Sequence, residues 1–486
     1  MASEIRVNKL NSQTGVGTIT LSPTGVDISG ITTAETLRAT TGIVTTFETT
    51  TGNITTLRAP TGIVTSLTTN TLTANSTAKV GSGVTISPDG DVFATGVTTC
   101  LGTSVAGNVI VGAAVTITES GIEASGIGIT CASINGAHIG GRRNMIINGA
   151  MYMNQRNDSS HTLNSGNTNA YVVDRFNVKA GEGTLVASQD SDVPTGQGFV
   201  KSIKLDCTGA DTSLDTNFES YIQYLPEAQD LVHLAYGTSV AKTVTFSFWV
   251  KSNLTSGFGF YYYMPDTGRA YQTSFTVSSA NTWEKKVITV VGDTSGSGFV
   301  NDNGIGAEIR IYVAGGTGKV GSSNQNAWGT DVNNRIPSGT NILSSTDNNF
   351  YFTGFQMEIG DQATPFEFLS VHETLLLCQR YYYRHAIGNG QDLGVGMMYT
   401  AGLCAFSVKF PVSMRAAPSL DYVSGTGYYN IYRSGASDPF AAMTIVRAHP
   451  NSAAIDTTTG TSGTEGVGTI LSTSSSSSYL AFSAEF

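Results

Sequence analysis

Residues 1–140 contain Phe47 and Phe93 but no Tyr or Trp, whereas all 20 tyrosines and all three tryptophans lie beyond them. A stretch that long without large side chains cannot easily build a conventional core, so its stability must come from repetition. A ten-residue period is present: Thr41-Gly42-Ile43-Val44-Thr45-Thr46-Phe47, Thr51-Gly52-Asn53-Ile54-Thr55-Thr56-Leu57 and Thr61-Gly62-Ile63-Val64-Thr65-Ser66-Leu67. Glycine marks each turn and β-branched residues fill each short strand. Around this block a longer unit recurs at Gly17 to Gly30, Gly83 to Phe93 and, more weakly, Val115 to Ile122. Each copy reads as strand, tight turn, strand. In the first two copies Ser-Pro-x-Gly supplies the turn, because Pro fixes one φ and Gly permits a positive one. A ten-residue repeat cannot bury its few apolar side chains alone. Three identical chains winding about one axis would bury them, and so would one chain coiled as a solenoid. Solenoid coils usually need about 20 residues or more, which favours the trimer.

Only 13% of the residues are charged, against roughly 25% in an ordinary soluble domain. Thr, Ser, Gly and Asn replace them and keep an extended surface wet without charge repulsion. The formal net charge is −10 and no basic stripe exists; the longest basic runs are Arg142-Arg143 and Lys285-Lys286. Phosphate backbones and anionic membranes are therefore poor partners. The N-terminus lacks the apolar core of a secretory signal, and no run of 18 apolar residues follows, so synthesis in a cytoplasm and no membrane insertion are expected. The five cysteines, Cys100, Cys131, Cys207, Cys378 and Cys404, are odd in number and widely spaced. They read as small buried hydrophobes rather than a disulfide scaffold.

Composition changes at Gly140-Gly141-Arg142-Arg143. From 141 to 370 the chain reads as a β-sandwich of jelly-roll type, with strands at Thr243 to Val250, Trp283 to Val291 and Glu308 to Val313 separated by Gly/Asn/Ser-rich loops. Ser370-Val371-His372-Glu373 has the form of a capping box. It predicts a helix over about 371–384 with Val371, Leu375, Cys378 and Tyr382 on one face. Short strands and Gly turns follow to 486. The expected fold class is all-β: a repetitive β-shaft over 1–140, a sandwich over 141–370, and a β-domain over 371–486 opened by one short helix.

Catalytic chemistry finds no foothold. No Gly-x-Ser-x-Gly elbow occurs. Gly315-Gly316-Thr317-Gly318-Lys319-Val320 misses the first glycine and the hydroxyl residue of a phosphate loop, and reads as a hairpin loop. Histidines are scattered, with no metal-binding pair on a helix. No cofactor is expected; Asn301-Asp302-Asn303-Gly304 offers oxygens of the kind calcium takes, although a polar turn explains them more simply. Aromatic clusters are the remaining candidates for ligand contact: Tyr261, Tyr262 and Tyr263; Trp328 in its polar loop; and Tyr428, Tyr429 and Tyr432. Each pairs an apolar ring with a polar tip, which suits a partly wet recognition surface. Against that, consecutive tyrosines in a strand alternate faces, so at least one of the first three belongs to the core. Tyr381-Tyr382-Tyr383 reads as packing.

Several segments resemble phage tail fibres. Ser3-Glu4-Ile5-Arg6-Val7-Asn8-Lys9-Leu10 followed by Gly17-Thr18-Ile19 is similar to the virion-proximal start of fibres from phages of marine cyanobacteria. Arg143-Asn144-Met145-Ile146-Ile147-Asn148-Gly149-Ala150-Met151, Gln155-Arg156 and Asp174-Arg175-Phe176 resemble the opening of a module common in phage tail proteins. Phe355-Gln356-Met357-Glu358-Ile359-Gly360 with Ala363-Thr364-Pro365-Phe366-Glu367 resembles its closing strand, and that module is a jelly roll similar to carbohydrate-binding modules. Cys378-Gln379-Arg380-Tyr381-Tyr382 and Phe410-Pro411-Val412-Ser413-Met414-Arg415-Ala416-Ala417-Pro418 resemble phage tail C-terminal modules. The resemblance implies a homotrimeric virion protein, and with no catalytic motif in the sequence no enzymatic activity is expected. It would be attached through its N-terminal region to other tail or baseplate proteins, and would adhere to a host surface glycan or outer-membrane receptor towards its C-terminus. A glycan depolymerase spike and a purely structural baseplate or connector protein are the alternatives.

Overall fold

Strand-forming alternation in the sequence becomes strand almost everywhere in the computed structural model. It describes residues 142–486 except 167, 322–324, 331–334, 337–338 and 458–459 and, before 142, nine short strands with Pro23. Two of the predicted strand-turn-strand units stand as antiparallel hairpins. Gly17–Ser22 pairs with Gly25–Gly30, and Val84–Ile86 with Val92–Ala94. The third has strands at Val115–Thr118 and Gly121–Ala124. The ten-residue repeat at 41–67 lies outside the described residues. The chain divides into two compact units: Met1–Ile110 with Ile117–Gly121, and Val111–Thr116 with Ile122–Phe486.

In the second unit two antiparallel sheets face each other. One has the order His161–Leu163, Thr184–Asp190, Ser202–Gly209, Asn349–Ile359, Val244–Ser252, Glu284–Val290. The other runs Asn169–Val173, Phe176–Lys179, Glu219–Tyr224, Glu308–Gly315, Gly257–Met264, Arg269–Thr276, Trp328–Gly329. Alternation sends Phe246 and Phe248 inward from the first sheet and Phe258, Phe260 and Tyr262 inward from the second, all fully buried. Their rings meet at 4.9 Å between Phe246 and Phe260 and at 4.8 Å between Phe258 and Phe350. This is the expected jelly-roll sandwich, and its interior is aromatic, in contrast to the ring-poor sequence over 1–140.

The capping box at Ser370 and Glu373 forms, but the helix spans only Val371–Gln379. Tyr382 already belongs to the next strand, Tyr382–Ile387, which pairs with Tyr479–Ser483, so the register of that pairing ends the helix five residues early. Within the helix only Cys378 is buried, and Val371 is exposed. The strands after it form a three-stranded sheet and a seven-stranded one, around a second core that includes Phe406, Tyr429 and Phe482. Cys207, Cys378 and Cys404 are free and buried. No helix among the described residues is long and apolar enough to cross a membrane.

Motif residues within 143–175, 356–367 and 380–382 meet at the ends of the sandwich and at its seam with the last module. The backbone N–H groups of Arg143 and Asn144 donate to Glu367 at 2.9 and 2.7 Å. Glu358 accepts from Gln356, Thr364 N–H and the Thr364 hydroxyl. Gln155 donates to Asp174 at 2.7 Å and to the Tyr382 carbonyl at 2.6 Å. Arg175, fully buried, pairs with Glu485 at 2.6 Å and lies 3.4 Å from the Tyr381 ring centroid. Across the seam Arg380 makes two bonds to buried Glu227, which also accepts from the Tyr381 hydroxyl.

Candidate functional site

Burial sorts the candidate aromatic residues. Tyr262 faces the sandwich core, against Phe246 and Trp328. Tyr261 points to the opposite face of the same strand, yet it is also fully buried. Val320 and Ile336 close over it together with Tyr221 and Tyr312. Neither ring is a recognition surface: strand alternation accounts for the first and the cover of Val320 and Ile336 for the second. Tyr263 is half-buried and stacks on Tyr261 at 5.8 Å. Trp328 pairs opposite Tyr271 at the sheet edge, and its indole N–H donates to the Val291 carbonyl at 2.7 Å. It plugs the end of the core rather than standing free in a loop. The Asn301 to Gly304 segment is a turn in which Asp302 accepts from Gly304 N–H, and Asn303 exchanges hydrogen bonds with Arg415. Among the described residues no three His, Cys, Asp or Glu side chains gather as a metal site.

In the last module Tyr429 is core: its hydroxyl lies 2.7 Å from the carbonyls of both Val423 and Tyr479, to one of which it donates, and its ring stacks on Phe440. Tyr428 packs half-buried against the same core. Tyr432, three residues on, points the other way and is 46% exposed. The seven-stranded sheet places Ile470 opposite Tyr432 on one side and opposite Val395 on the other. Ile470 is 52% and Val395 75% exposed, so three apolar side chains cross three adjacent strands in one solvent-facing row. Met397 and Tyr399 extend the apolar surface along the strand Asp392–Thr400.

A shallow groove of about 750 Å³ runs along this row, bounded on its far side by the turn Ser434-Gly435. Ser434 and Gly435 both take positive φ, which folds the hairpin back tightly at that wall. A polar cluster pins the hairpin from the opposite face of the sheet: Arg433 donates to Asp438 and to the Ser462 hydroxyl, while Asp438 also accepts from Ser462 N–H and Oγ–H. The hydrogen bonds from Ser462 hold the Asp438 carboxyl below its ordinary value. The groove thus offers a flat apolar platform with the hydroxyl residues Ser434 and Ser437 along its wall. Tyr432 was legible in sequence; Val395 and Ile470 were not singled out, although Val395, Met397 and Tyr399 at alternate positions are the period of one strand face.

A second cavity of about 200 Å³ lies beside Phe199, Phe366 and Phe368 in the sandwich. Its polar lining is spent inward. Asn148 binds Met153 and Asp174 backbone groups, Asn144 binds Ile146, Phe355 and Met357, and Glu367 binds the N–H groups named above. It offers a hydroxylated ligand little to bond.

No protein-family model matches the chain, and no curated protein matches it. Among solved structures it is similar to the enzymatically active domain of tailspike protein 4 of bacteriophage CBA120, at 11% identity and TM-score 0.24 over 44% of this chain; the chain spans about a fifth, 21%, of that domain's length. It is also similar to a CBM4 structure, at 13% identity and TM-score 0.22, over 44% of this chain and 97% of the other. The CBM22-1 xylan-binding domain of Paenibacillus barcinonensis Xyn10C aligns at 9% identity and TM-score 0.22, over 48% of this chain and all of that one.

Proposed function

We propose that the chain is a non-enzymatic, trimeric tail-fibre protein that holds a host surface glycan in the groove beside Tyr432. The observation that carries this reading is the solvent-facing row of Tyr432, Ile470 and Val395 along a groove whose wall carries Ser434 and Ser437. A pyranose presents an apolar face of C–H groups and a rim of hydroxyls. The row takes the former and the hydroxyls of Ser434 and Ser437, which both donate and accept, take the latter. The fibre context rests on the tail-protein motifs and the repetitive sequence over 1–140. Adhesion then comes from avidity: three weak sites per fibre raise overall binding without any strong single site.

The test is a glycan array probed with the full chain and with Tyr432→Ala, alongside a reducing-end assay on extracted host surface polysaccharide. The expected result is glycan binding that falls about tenfold in the variant, the size of one lost aromatic stack, with no new reducing ends. Release of reducing ends would make the protein a depolymerase. Absence of any glycan or host-cell binding by the unaltered chain would leave a structural connector.

A further inference from the structure

The outward face of the six-stranded sheet carries an aromatic cluster far from Tyr432 in the chain and on a different sheet. Strand register sets Lys204 opposite Tyr351 and Tyr351 opposite Lys251, so the three cross adjacent strands in one row. Val250 pairs with Glu284, which brings Trp283, just before that strand, level with Lys251. The Lys251 ammonium lies 4.3 Å from the Tyr351 ring centroid and 5.7 Å from that of Trp283. The two rings meet edge to face at 6.1 Å. Asp192 fixes both partners: it accepts the Trp283 indole N–H at 2.9 Å and pairs with Lys251. Lys204 pairs with Asp206 at 3.3 Å. Trp283, Tyr351 and Lys204 are partly exposed, and Asp192 is open to solvent.

The two ammonium groups of the row, Lys204 and Lys251, face three carboxylates, Asp190, Asp192 and Asp206, so the cluster has no positive charge with which to hold a polyanion. Nor does it suit a wholly apolar ligand, because donors and acceptors surround the rings. The ligand it fits has an apolar face for the rings and hydroxyl groups that donate to Asp192 or Asp206 and accept from Lys204 or Lys251. We propose that a neutral pyranose unit of an oligosaccharide binds over Trp283 and Tyr351. This second saccharide site is independent of the Tyr432 groove, and either one stands if the other is inert.

The experiment titrates the full chain with cellohexaose, maltohexaose, laminarihexaose, mannohexaose and, as an anionic contrast, a galacturonic acid hexamer, followed by calorimetry and tryptophan fluorescence. At least one neutral hexasaccharide is expected to bind in the millimolar range or tighter and to shift the emission, with little change on adding salt. Trp283→Ala and Tyr351→Ala each weaken that binding about tenfold, while circular dichroism and Tm confirm that both fold; Tyr432→Ala leaves it unchanged. The proposal is overturned if no neutral hexasaccharide binds, if only the galacturonic acid hexamer binds, or if binding survives both ring deletions. If Tyr432→Ala alone abolishes the binding, the sugar belongs to the groove and this site is refuted while the groove stands.

Discussion

Asp174 and Arg175 are neighbours in sequence with opposite electrostatic outcomes. Arg175 turns the chain between two strands at a φ of 73°, a conformation rare for a side-chain-bearing residue, and its buried guanidinium is matched by Glu485. Asp174 is equally buried, and that burial pushes its carboxyl up to about 6, against the pull of Arg156 and the hydrogen bonds from Gln155. Between its ordinary value near 4 and about 6 the folded protein holds a proton that the unfolded chain has released. The stabilisation tied to that proton is complete below about pH 4 and is lost as pH rises through 6. It amounts to at most about 3 kcal/mol. Urea unfolding should therefore show wild type losing stability relative to Asp174→Asn between about pH 4 and 7; a constant difference would refute the assignment. The tyrosines show how far sequence reaches at this scale. Alternation foretold that one of Tyr261, Tyr262 and Tyr263 is core. Nothing local foretold that Val320 and Ile336, more than fifty residues away, cover Tyr261 as well.

At the scale of elements, local chemistry was the more legible. Short β-branched runs on either side of Pro and Gly located the paired strands within Gly17–Gly30 and Val84–Ala94, because such a pattern is local in sequence. The helix start was legible for the same reason, since Ser370 and Glu373 cap each other within one turn. Its end was not, because a strand partner a hundred residues downstream claims Tyr382. Replacing Ser370 by Ala removes the hydrogen bond to Glu373 N–H and should cost about 1 kcal/mol. A lowered denaturant midpoint with an unchanged m-value would register it, whereas Ser370→Asp, which caps as well, should be near neutral. The Tyr432 row was half legible: alternation exposes one strand face, but which strands lie beside it depends on a sheet order, Tyr429–Arg433 next to Gly468–Thr473 next to Asp392–Thr400, that no local pattern encodes.

For the whole molecule, the shared-axis reading of the segment 1–140 makes a single prediction: native mass near three times 50.9 kDa, measured by light scattering in line with gel filtration, with elution earlier than a compact particle of that mass. A compact monomer would remove the shared axis and leave a solenoid. If the chain acts as the proposed adhesin it would bear tension, and the contacts of its entry segment decide where that load goes. Met145 N–H bonds to the Met357 carbonyl and Phe355 N–H to the Gly149 carbonyl, both at 2.9 Å, while Glu367 clamps residues 143 and 144. Asn349–Ile359 lies inside its sheet, flanked by Ser202–Gly209 and Val244–Ser252. A pull applied at residue 142 is therefore passed to an interior strand paired on both sides rather than to an edge strand. The sandwich is wired as a mechanical anchor for whatever draws on its entry segment.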